Sequence, residues 1–210
     1  MIKKNLNILI ITSIVILLPV LAGVVLWDTL PEQIPTHWNA AGEIDGWSSK
    51  AFAIFGLPLM MLAMHWLCVL GTAADPKKAN HSDKLIHLVL WIIPIISVAL
   101  FALTYVAALG TEVRMEMVMP LLVGFVLTVV GNYLPKCKQS YTIGIKIPWT
   151  LHSEENWNRT HRFAGRLWLV CGLGIMLTAF VGGFWFFLPI VLVMVLAPTV
   201  YSYLLHRKGI

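Results

Sequence analysis

Long apolar stretches recur along the chain and alternate with shorter polar segments. Six stretches are long enough for a helix to cross the hydrocarbon core of a bilayer, which takes about 20 residues. They cover residues 6–27, 51–72, 88–110, 118–134, 164–181 and 184–205. The pattern therefore predicts an all-α integral membrane protein with six transmembrane helices.

The first and the last of these stretches each contain a feature that affects the number of spans. A single helix across the last two stretches would be about twice as long as a bilayer needs, so the adjacent Gly182 and Gly183 predict a tight turn between two spans. At the other end, Lys3 and Lys4 precede an apolar run, as in a signal peptide. That run is longer than a usual signal-peptide core and no small-residue cleavage site follows it, so we expect an uncleaved first span.

Composition supports the membrane class. Apolar residues make up 59% of the chain and charged residues only 12%, whereas a soluble globular domain has about 25% charged residues. Cys68, Cys137 and Cys171 show no paired or metal-binding spacing. We expect them to be small, inert apolar residues.

The basic residues predict which way the chain crosses the membrane. With six spans, both termini lie on the same side, and 13 of the 15 basic residues share that side, with only Lys50 and Arg114 opposite. The 13 are Lys3, Lys4, Lys77, Lys78, Lys84, Lys136, Lys138, Lys146, Arg159, Arg162, Arg166, Arg207 and Lys208. Because cytoplasmic loops carry the excess of lysine and arginine, both termini and the loop 135–163 are predicted to be cytoplasmic. The loop 28–50 is then predicted to face outward.

The predicted outer loop, residues 28–50, carries turn signals and aromatic residues. Proline near its start limits the backbone, and the stretches 39–42 and 45–46 are typical of turns. Trp38 and Trp47 supply apolar surface, and tryptophan favours the membrane interface. We expect a compact, ordered loop with a small hairpin.

His37, Asn39 and Asp45 are the polar residues of this loop with possible chemistry. They could converge as metal ligands or as a catalytic pair. Alternatively, His37 and Asn39 satisfy backbone groups of the loop, as short polar side chains commonly do. One histidine with one aspartate is a weak metal signal, so we expect no metal, no cofactor and no enzymatic activity.

The predicted inner loop, residues 135–163, reads as a strand followed by a helix. Ile143, Ile145 and Ile147 alternate as in a strand, and Pro148 ends that pattern. Ser153 is a suitable helix N-cap, and the acidic residues that follow suit the positive end of a helix dipole. The helix is expected to continue into the fifth span.

Three arginines of this helix, Arg159, Arg162 and Arg166, recur at helical spacing. They could anchor the helix to lipid phosphates or form a docking surface for a cytoplasmic protein. The residue pattern leaves both interpretations open.

Few ionisable residues lie inside the spans. His65 is the one near the middle of a span, and mid-span carboxylates are lacking, which argues against a proton-driven pump. A small transporter or channel would have little beyond His65, Thr104 and Asn132 along its path. That function, and a metal-assisted membrane enzyme at His37 and Asp45, are the alternative hypotheses.

Two long motifs carry a family resemblance. The first resembles a bacterial membrane domain of unassigned biochemical function, through Leu30, Pro31, Ile34, Pro35, His37, Trp38, Asn39, Gly42, Asp45, Gly46, Trp47, Ser49 and Lys50. The second resembles the SdpI family, through Asn132, Tyr133, Ile143, Gly144, Ile145, Lys146, Pro148, Trp149, Thr150, Leu151, Ser153, Glu154, Trp157, Thr160, His161, Arg162 and Gly165. Both motifs occur in the family's order. The resemblance implies a two-helix unit at residues 1–75 and a four-helix SdpI-like unit at residues 76–210.

The resemblance also implies a function. Members of this family are immunity proteins against the sporulation-delaying-protein toxin, a secreted peptide. The resemblance also implies a receptor function for at least one member. That member holds a cytoplasmic ArsR-like repressor at the membrane, so that the operon encoding the immunity protein is derepressed. A multi-pass protein of the bacterial cell membrane is therefore implied, with toxin, repressor and bilayer as partners and without direct nucleic-acid binding.

The site residues expected on this resemblance fall into two groups. The outer, toxin-side group is His37, Trp38, Asn39, Asp45 and Trp47. The inner, repressor-side group is Lys146, Trp149, Trp157, Arg159, His161, Arg162 and Arg166. No catalytic residue is implied.

Overall fold

A computed structural model describes residues 1–181 and 184–210. The helices are α1 (Leu6–Val25), α2 (Leu57–Ala74), α3 (Asp83–Ala108), α4 (Met115–Tyr133), α5 (Pro148–His152), α6 (Glu154–Val181) and α7 (Phe184–Arg207), and the strands are β1 (Gln33–Trp38) and β2 (Ile44–Ser49). Six of the described helices, all except α5, are long and apolar enough to cross a membrane, which confirms the predicted number of spans. The predicted turn at Gly182 and Gly183 lies outside the described residues.

Two helices begin earlier than the apolar pattern predicts. The α3 helix begins at Asp83 rather than at residue 88, and α6 begins at Glu154 rather than at residue 164. In both cases the first turn contains acidic residues, which interact favourably with the positive end of the helix dipole. Hydropathy detects only the apolar part of a helix, so it missed the polar first turn of α3. For α6, the N-cap expected at Ser153 is confirmed, because the Ser153 hydroxyl accepts a hydrogen bond from the Asn156 N–H at 3.1 Å.

The segment between α1 and α2 contains an antiparallel hairpin formed by β1 and β2. Its register pairs Gln33 with Ser49 and Trp38 with Ile44, and the pairing is irregular between Pro35 and Trp38. A π-helical turn, Phe52–Gly56, then leads into α2. The hairpin is therefore a short, structured connection between two candidate membrane spans.

The first of two compact units contains residues 1–73 and 86–115, so it includes α1, the hairpin, α2 and most of α3. The division expected from the sequence, at residue 75, instead assigned the third span to the second unit. One apolar cluster lies at the hairpin end of this unit and includes Leu30, Ile34, Ala53, Ile54, Phe101 and Tyr105. Another lies at the opposite end and includes Leu9, Val69, Ile86 and Leu90, against which Met1 and Ile2 pack.

Polar side chains join the helices of this unit inside the apolar region. The Thr12 hydroxyl lies 3.2 Å from Nε2 of the buried His65, which links α1 to α2. Ser97 and Tyr105 of α3 donate hydrogen bonds to backbone carbonyls of α1, at 3.2 Å and 3.0 Å. Such bonds satisfy polar groups that lipid cannot. His65 thus has a hydroxyl partner.

The second unit contains residues 74–85 and 116–210. Its helices α4 and α6 approach closely because glycines face each other. A Cβ atom on Gly172 would lie 2.4 Å from Oγ1 of Thr128, and one on Gly124 would lie 2.6 Å from the carbonyl oxygen of Gly172. Small residues commonly allow this approach in membrane helices. We expect a larger side chain at Gly172 to separate α4 from α6.

A buried asparagine joins α6 to α7 at the end of the chain. Asn156 donates from Nδ2 to the carbonyl oxygens of Ser202, at 3.0 Å, and Ile210, at 3.2 Å. Its Oδ1 accepts hydrogen bonds from the hydroxyls of Ser202, at 2.6 Å, and Thr160, at 3.1 Å. Because both ends of this amide are satisfied, the buried polar group stabilises the helix pair.

The strand predicted at residues 143–147 is wrong: the described segment between α4 and α5 has an irregular backbone. Gly144 has a φ angle of 117°, which breaks an extended run. The backbone N–H groups of Ile143 and Ile145 donate to the side chains of Ser140 and His161. Side chains therefore take the place of a partner strand, and the isoleucine alternation reflects packing of a loop.

Candidate functional site

The hairpin carries an exposed pair of polar side chains, His37 and Asp45. Nδ1 of His37 lies 2.5 Å from Oδ1 of Asp45, and the two side chains are 70% and 43% exposed. Gly46 stands opposite His37, and a Cβ atom there would lie 2.8 Å from Cβ of His37. The missing side chain at Gly46 thus makes room for His37. The pair is available to a ligand that offers both donors and acceptors.

Asn39 organises the turn between the strands. Its Oδ1 accepts hydrogen bonds from the backbone N–H groups of Ala41, at 2.9 Å, and Glu43, at 3.0 Å. Its Nδ2 donates to the Glu43 carboxylate at 3.0 Å. Side-chain bonds of this kind are typical of turn-forming asparagine. Asn39 therefore shapes the hairpin rather than presenting its amide to a partner.

The two tryptophans of the hairpin have different surroundings. Trp47 is 56% exposed. Trp38 and Thr36 line an apolar cavity of about 380 Å³ together with Leu57, Met60, Met61, Met64, Leu100, Phe101 and Thr104. Alternate residues of a strand point to opposite faces, which accounts for the cavity position of Thr36 and Trp38 and the exposed position of His37.

A buried lysine holds the base of the hairpin. Nζ of Lys50 donates to the backbone carbonyl of Trp27 at 3.1 Å and lies 2.9 Å from the Glu32 carboxylate. It also lies 5.2 Å from the centre of the Trp27 ring, a cation–π distance. A cation suits the carbonyl end of a helix. Lys50, directly after β2, therefore connects the end of the hairpin to the segment that follows α1.

The second unit contains a buried carboxylate, Asp75, that sequence reasoning missed. Its Oδ2 accepts hydrogen bonds from the Ser140 hydroxyl at 2.8 Å, the Tyr141 N–H at 3.0 Å, and the Thr142 N–H and hydroxyl at 2.9 Å and 2.6 Å. Its Oδ1 accepts from the Lys77 N–H at 2.7 Å. One carboxylate, 1% exposed, thus holds residues 140–142 against the end of α2.

These hydrogen bonds determine the charge of Asp75. Burial by itself raises the pKa of the carboxyl, but bonds from Thr142, Lys77, Ser140 and Tyr141 outweigh it and lower the pKa from 3.8 to about 2. Burial lowers the pKa of the neighbouring His81, and the Asp75 carboxylate opposes that shift only in part. At neutral pH the cluster therefore contains an ionised Asp75 and a neutral His81.

Asp75, His81 and Ser140 do not have the geometry of a hydrolytic triad. In such a triad the carboxylate contacts one ring nitrogen of histidine and the serine contacts the other. Here Ser140 and Asp75 both contact Nε2 of His81, at 3.0 Å and 3.5 Å. The Ser140 hydroxyl donates to Asp75 and the residue is fully buried. The cluster is therefore built to hold the loop in place.

Trp157 and His161 of α6 support the same loop from the other side. Trp157 is fully buried and donates from Nε1 to the Cys137 carbonyl at 2.7 Å, and its ring stacks on that of His161 at 4.0 Å. His161 is 1% exposed, and its Nε2 accepts a hydrogen bond from the Ile145 N–H at 2.9 Å. A Cβ atom on Gly144 would lie 2.6 Å from that nitrogen. Burial removes both side chains from any surface.

The remaining residues of the expected inner group are partly or fully exposed. Trp149 lies beside Tyr203 and His206 of α7. Arg159 pairs with Glu155 at 2.5 Å, which neutralises part of its charge. Lys146, Arg162 and Arg166 are exposed. The basic surface is thus smaller than the sequence predicted, and it is centred on Arg162 and Arg166.

Asp75, Gln139, Ser140 and Asn156 are the structural polar residues that the sequence interpretation did not single out. Gln139 donates to the carbonyl oxygens of Thr150 and Leu151, at 2.7 Å and 2.9 Å, and accepts from the Lys77 ammonium. A carboxylate three residues after the predicted second span, which ends at residue 72, was a signal that could have drawn attention to Asp75. Four of its five hydrogen bonds, however, come from residues more than sixty positions further along the chain.

Metal binding has limited support from the geometry. Among the residues that the structure describes, no three histidine, cysteine, aspartate or glutamate side chains come together as a metal site would require. The Cys137 thiol is buried, and burial raises its pKa to about 11, so it stays protonated at neutral pH. His37 and Asp45 together supply two possible ligands, fewer than a protein metal site usually has.

Comparison with known proteins gives matches at both ends of the chain and one along its whole length. Residues 14–62 match a domain of unknown function, DUF1648, and residues 136–202 match the SdpI/YfhL protein family. The chain is 31% identical over 209 residues to "Immunity protein SdpI" of Bacillus subtilis (strain 168), which covers 98% of this chain and 97% of that protein. No solved structure matches.

Proposed function

Because this chain belongs to the SdpI/YfhL protein family, we propose that it protects the bacterium that makes it from a secreted peptide toxin. It is a multi-pass protein of the cell membrane, with six helices that are long and apolar enough to span it among the described residues. The observation that carries the proposal is the similarity to an immunity protein along nearly the whole of both chains.

The hairpin is the part of the molecule that we propose as the toxin contact. The distribution of basic residues supports an outward position for this segment, where a secreted peptide would meet it first. His37, Asp45 and Trp47 are exposed, and together they offer a polar pair and an aromatic ring. Aromatic residues often dominate binding energy at interfaces. These three side chains are therefore the proposed toxin-binding surface.

The proposal is tested by expressing the chain in a sensitive strain and challenging it with a panel of secreted peptide toxins. The full chain should raise survival for at least one toxin. The double substitution His37→Ala with Trp47→Ala should lower that protection about tenfold or more, because it removes exposed contacts. Neither side chain is needed for the turn that Asn39 organises, so membrane abundance should be unchanged.

Thr111→Ala with Glu112→Ala is the matched control, since both residues are exposed and lie in another connection on the same proposed side. That variant should protect as well as the unmodified chain. Equal survival of the His37/Trp47 variant at equal abundance would remove the hairpin surface from the proposal. Lack of protection by the unmodified chain against every toxin would remove the immunity function itself.

A second proposed binding surface lies on the opposite side of the membrane. We propose that toxin engagement lets the basic surface of α6 hold an ArsR-like repressor, so that the protein is a receptor as well as an immunity factor. Arg162 and Arg166 are exposed on one helix, and Lys146 lies on the loop held by Asp75 and His161. A preformed basic surface suits an acidic protein partner. Coupling requires that the toxin binds one conformation better than another.

A further inference from the structure

The cavity beside Trp38 suggests what kind of peptide the first unit can hold. It lies between the hairpin, α2 and α3, has a volume of about 380 Å³ and has mainly apolar lining residues. Ligand cavities in proteins are typically about 300–1,000 Å³. The cavity is therefore large enough for several side chains of a bound molecule.

The cavity opens sideways, where lipid would surround α2. Met60 and Met64 line it and are 59% and 56% exposed, while Phe101 and Thr104 on its inner wall are buried. A molecule can thus enter it from within the membrane. Methionine side chains are flexible and polarizable, and they are frequent at surfaces that accept differently shaped apolar partners.

The charge of the hairpin segment, which contributes Thr36 and Trp38 to the cavity, distinguishes between possible occupants. Residues 28–50 contain four carboxylates, Asp28, Glu32, Glu43 and Asp45, against one lysine, Lys50. Lys50 is buried and pairs with Glu32, so these two charges offset each other and the segment keeps three further carboxylates, Asp28, Glu43 and Asp45. A phospholipid in this cavity would bring its phosphate toward an acidic segment, which is unfavourable. A cationic group would be attracted.

We propose that this cavity, which we call the Trp38 groove and which is lined by Thr36, Trp38, Met60, Met64, Phe101 and Thr104, binds an apolar peptide segment that carries positive charge at one end. This inference rests on the proposed function and names the chemistry of the toxin. The apolar segment lies in the groove at membrane depth, and the cationic end lies against the acidic hairpin. The toxin is then captured laterally from the bilayer.

The test uses the full chain in vesicles of zwitterionic lipid and a pair of synthetic peptides as probes. Both peptides share one leucine–alanine helical segment, and they differ only in a pair of lysines or a pair of glutamates at one end. The lysine peptide should bind about tenfold more tightly than the glutamate peptide, and the preference should shrink as salt is raised. This comparison uses the unmodified chain, so it does not depend on how any variant folds.

Met64→Trp should weaken binding of the lysine peptide about tenfold by filling the groove. Leu196→Trp is the matched control, because Leu196 lines another open apolar cavity, whose lining residues all belong to α7. Equal binding of the two peptides by the unmodified chain, or unchanged binding by a folded Met64→Trp variant, would overturn the proposal. Phospholipid that stays with the unmodified chain but is lost from Met64→Trp, without any peptide preference, would assign the groove to lipid instead.

Survival assays separate this inference from the proposed function. If the unmodified chain protects cells and Met64→Trp protects equally well while the His37/Trp47 variant fails, only the groove proposal is overturned. If a cationic toxin is the one resisted and Met64→Trp loses protection while Leu196→Trp keeps it, both proposals are supported. Protection against an anionic toxin alone would contradict the charge argument.

Discussion

At the scale of single residues, the Asp75 carboxylate has the largest structural consequence. It accepts five hydrogen bonds, four of them from residues 140–142. A buried carboxylate is favourable only when such donors replace water. The loop that presents Lys146 therefore depends on one side chain at the end of α2.

Asp75→Asn should destabilise the protein by about 2 to 4 kcal/mol, because an amide has one neutral acceptor oxygen in place of two charged ones, and its NH2 group would face an N–H that needs an acceptor. The loss of stability is measured by heating the detergent-solubilised protein and quantifying, by size-exclusion chromatography, the fraction that stays folded at each temperature. The exposed Asp28→Asn should change stability by less than about 0.5 kcal/mol. Equal melting temperatures for the two variants would contradict a structural role for Asp75.

The pKa of Asp75 also predicts a pH dependence. Folding lowers this pKa from 3.8 to about 2, so the carboxylate stabilises the fold fully above 3.8. That contribution is lost as the pH falls from 3.8 toward 2. In the same unfolding assay, the Asp75→Asn variant should lose less stability than the unmodified chain as the pH falls from 3.8 toward 2.

At the scale of elements, α6 combines a buried face and an exposed basic face in its first turns. Trp157 and His161 pack inward against the loop. Arg162 and Arg166 remain exposed, whereas Arg159 pairs with Glu155. Helical spacing in the sequence predicted that the arginines share a face, but only the packing shows which aromatic and imidazole side chains are unavailable to a partner.

Reversing the charge of α6 tests its role as a repressor surface. Arg162→Glu with Arg166→Glu should reduce the fraction of an ArsR-like repressor that sediments with membranes by at least about fivefold, a coupling of roughly 1 kcal/mol. Toxin protection should persist, since the hairpin is unchanged. Arg207→Glu with Lys208→Glu makes the same charge change at exposed positions at the end of α7 and should retain the repressor. Loss of both phenotypes together would contradict two separate surfaces.

The hairpin illustrates which element-scale features a sequence reveals. Turn residues and apolar surface predicted a hairpin in residues 28–50, and strands lie at Gln33–Trp38 and Ile44–Ser49. The alternation of isoleucines predicted a strand at residues 143–147 that is wrong, because a strand needs a partner backbone and this segment bonds to side chains instead. Local pattern alone does not identify the hydrogen-bond partner.

At the scale of the whole molecule, packing within each unit groups the ends of the spans. In the second unit, residues that follow α2 and α4 meet at Asp75. Trp149, before α6, lies beside Tyr203 near the end of α7, and Asn156 in the first turn of α6 bonds to Ile210 after α7. Two candidate spans lie between the members of each pair. These contacts agree with the even number of crossings that the charge distribution requires.

Sidedness of the membrane is the property on which both proposed surfaces depend. In intact cells, Trp47→Cys should react with a membrane-impermeant maleimide, and Arg162→Cys should react only after the cells are opened. The unmodified chain is the control, because Cys137 is buried and Cys68 and Cys171 lie in candidate spans. The reverse labelling pattern would invert both surfaces and remove the receptor proposal.

The sequence by itself determined the number of spans and where the polar connections lie, because lipid allows only long apolar helices to cross and leaves charge at their ends. Tertiary structure decided the rest. It brought Asp75 to residues 140–142, buried Trp157 and His161, and opened a groove beside Trp38. The physical reason is that a hydrogen bond or a cavity depends on which distant segments meet, and hydropathy and local spacing carry no information about that pairing.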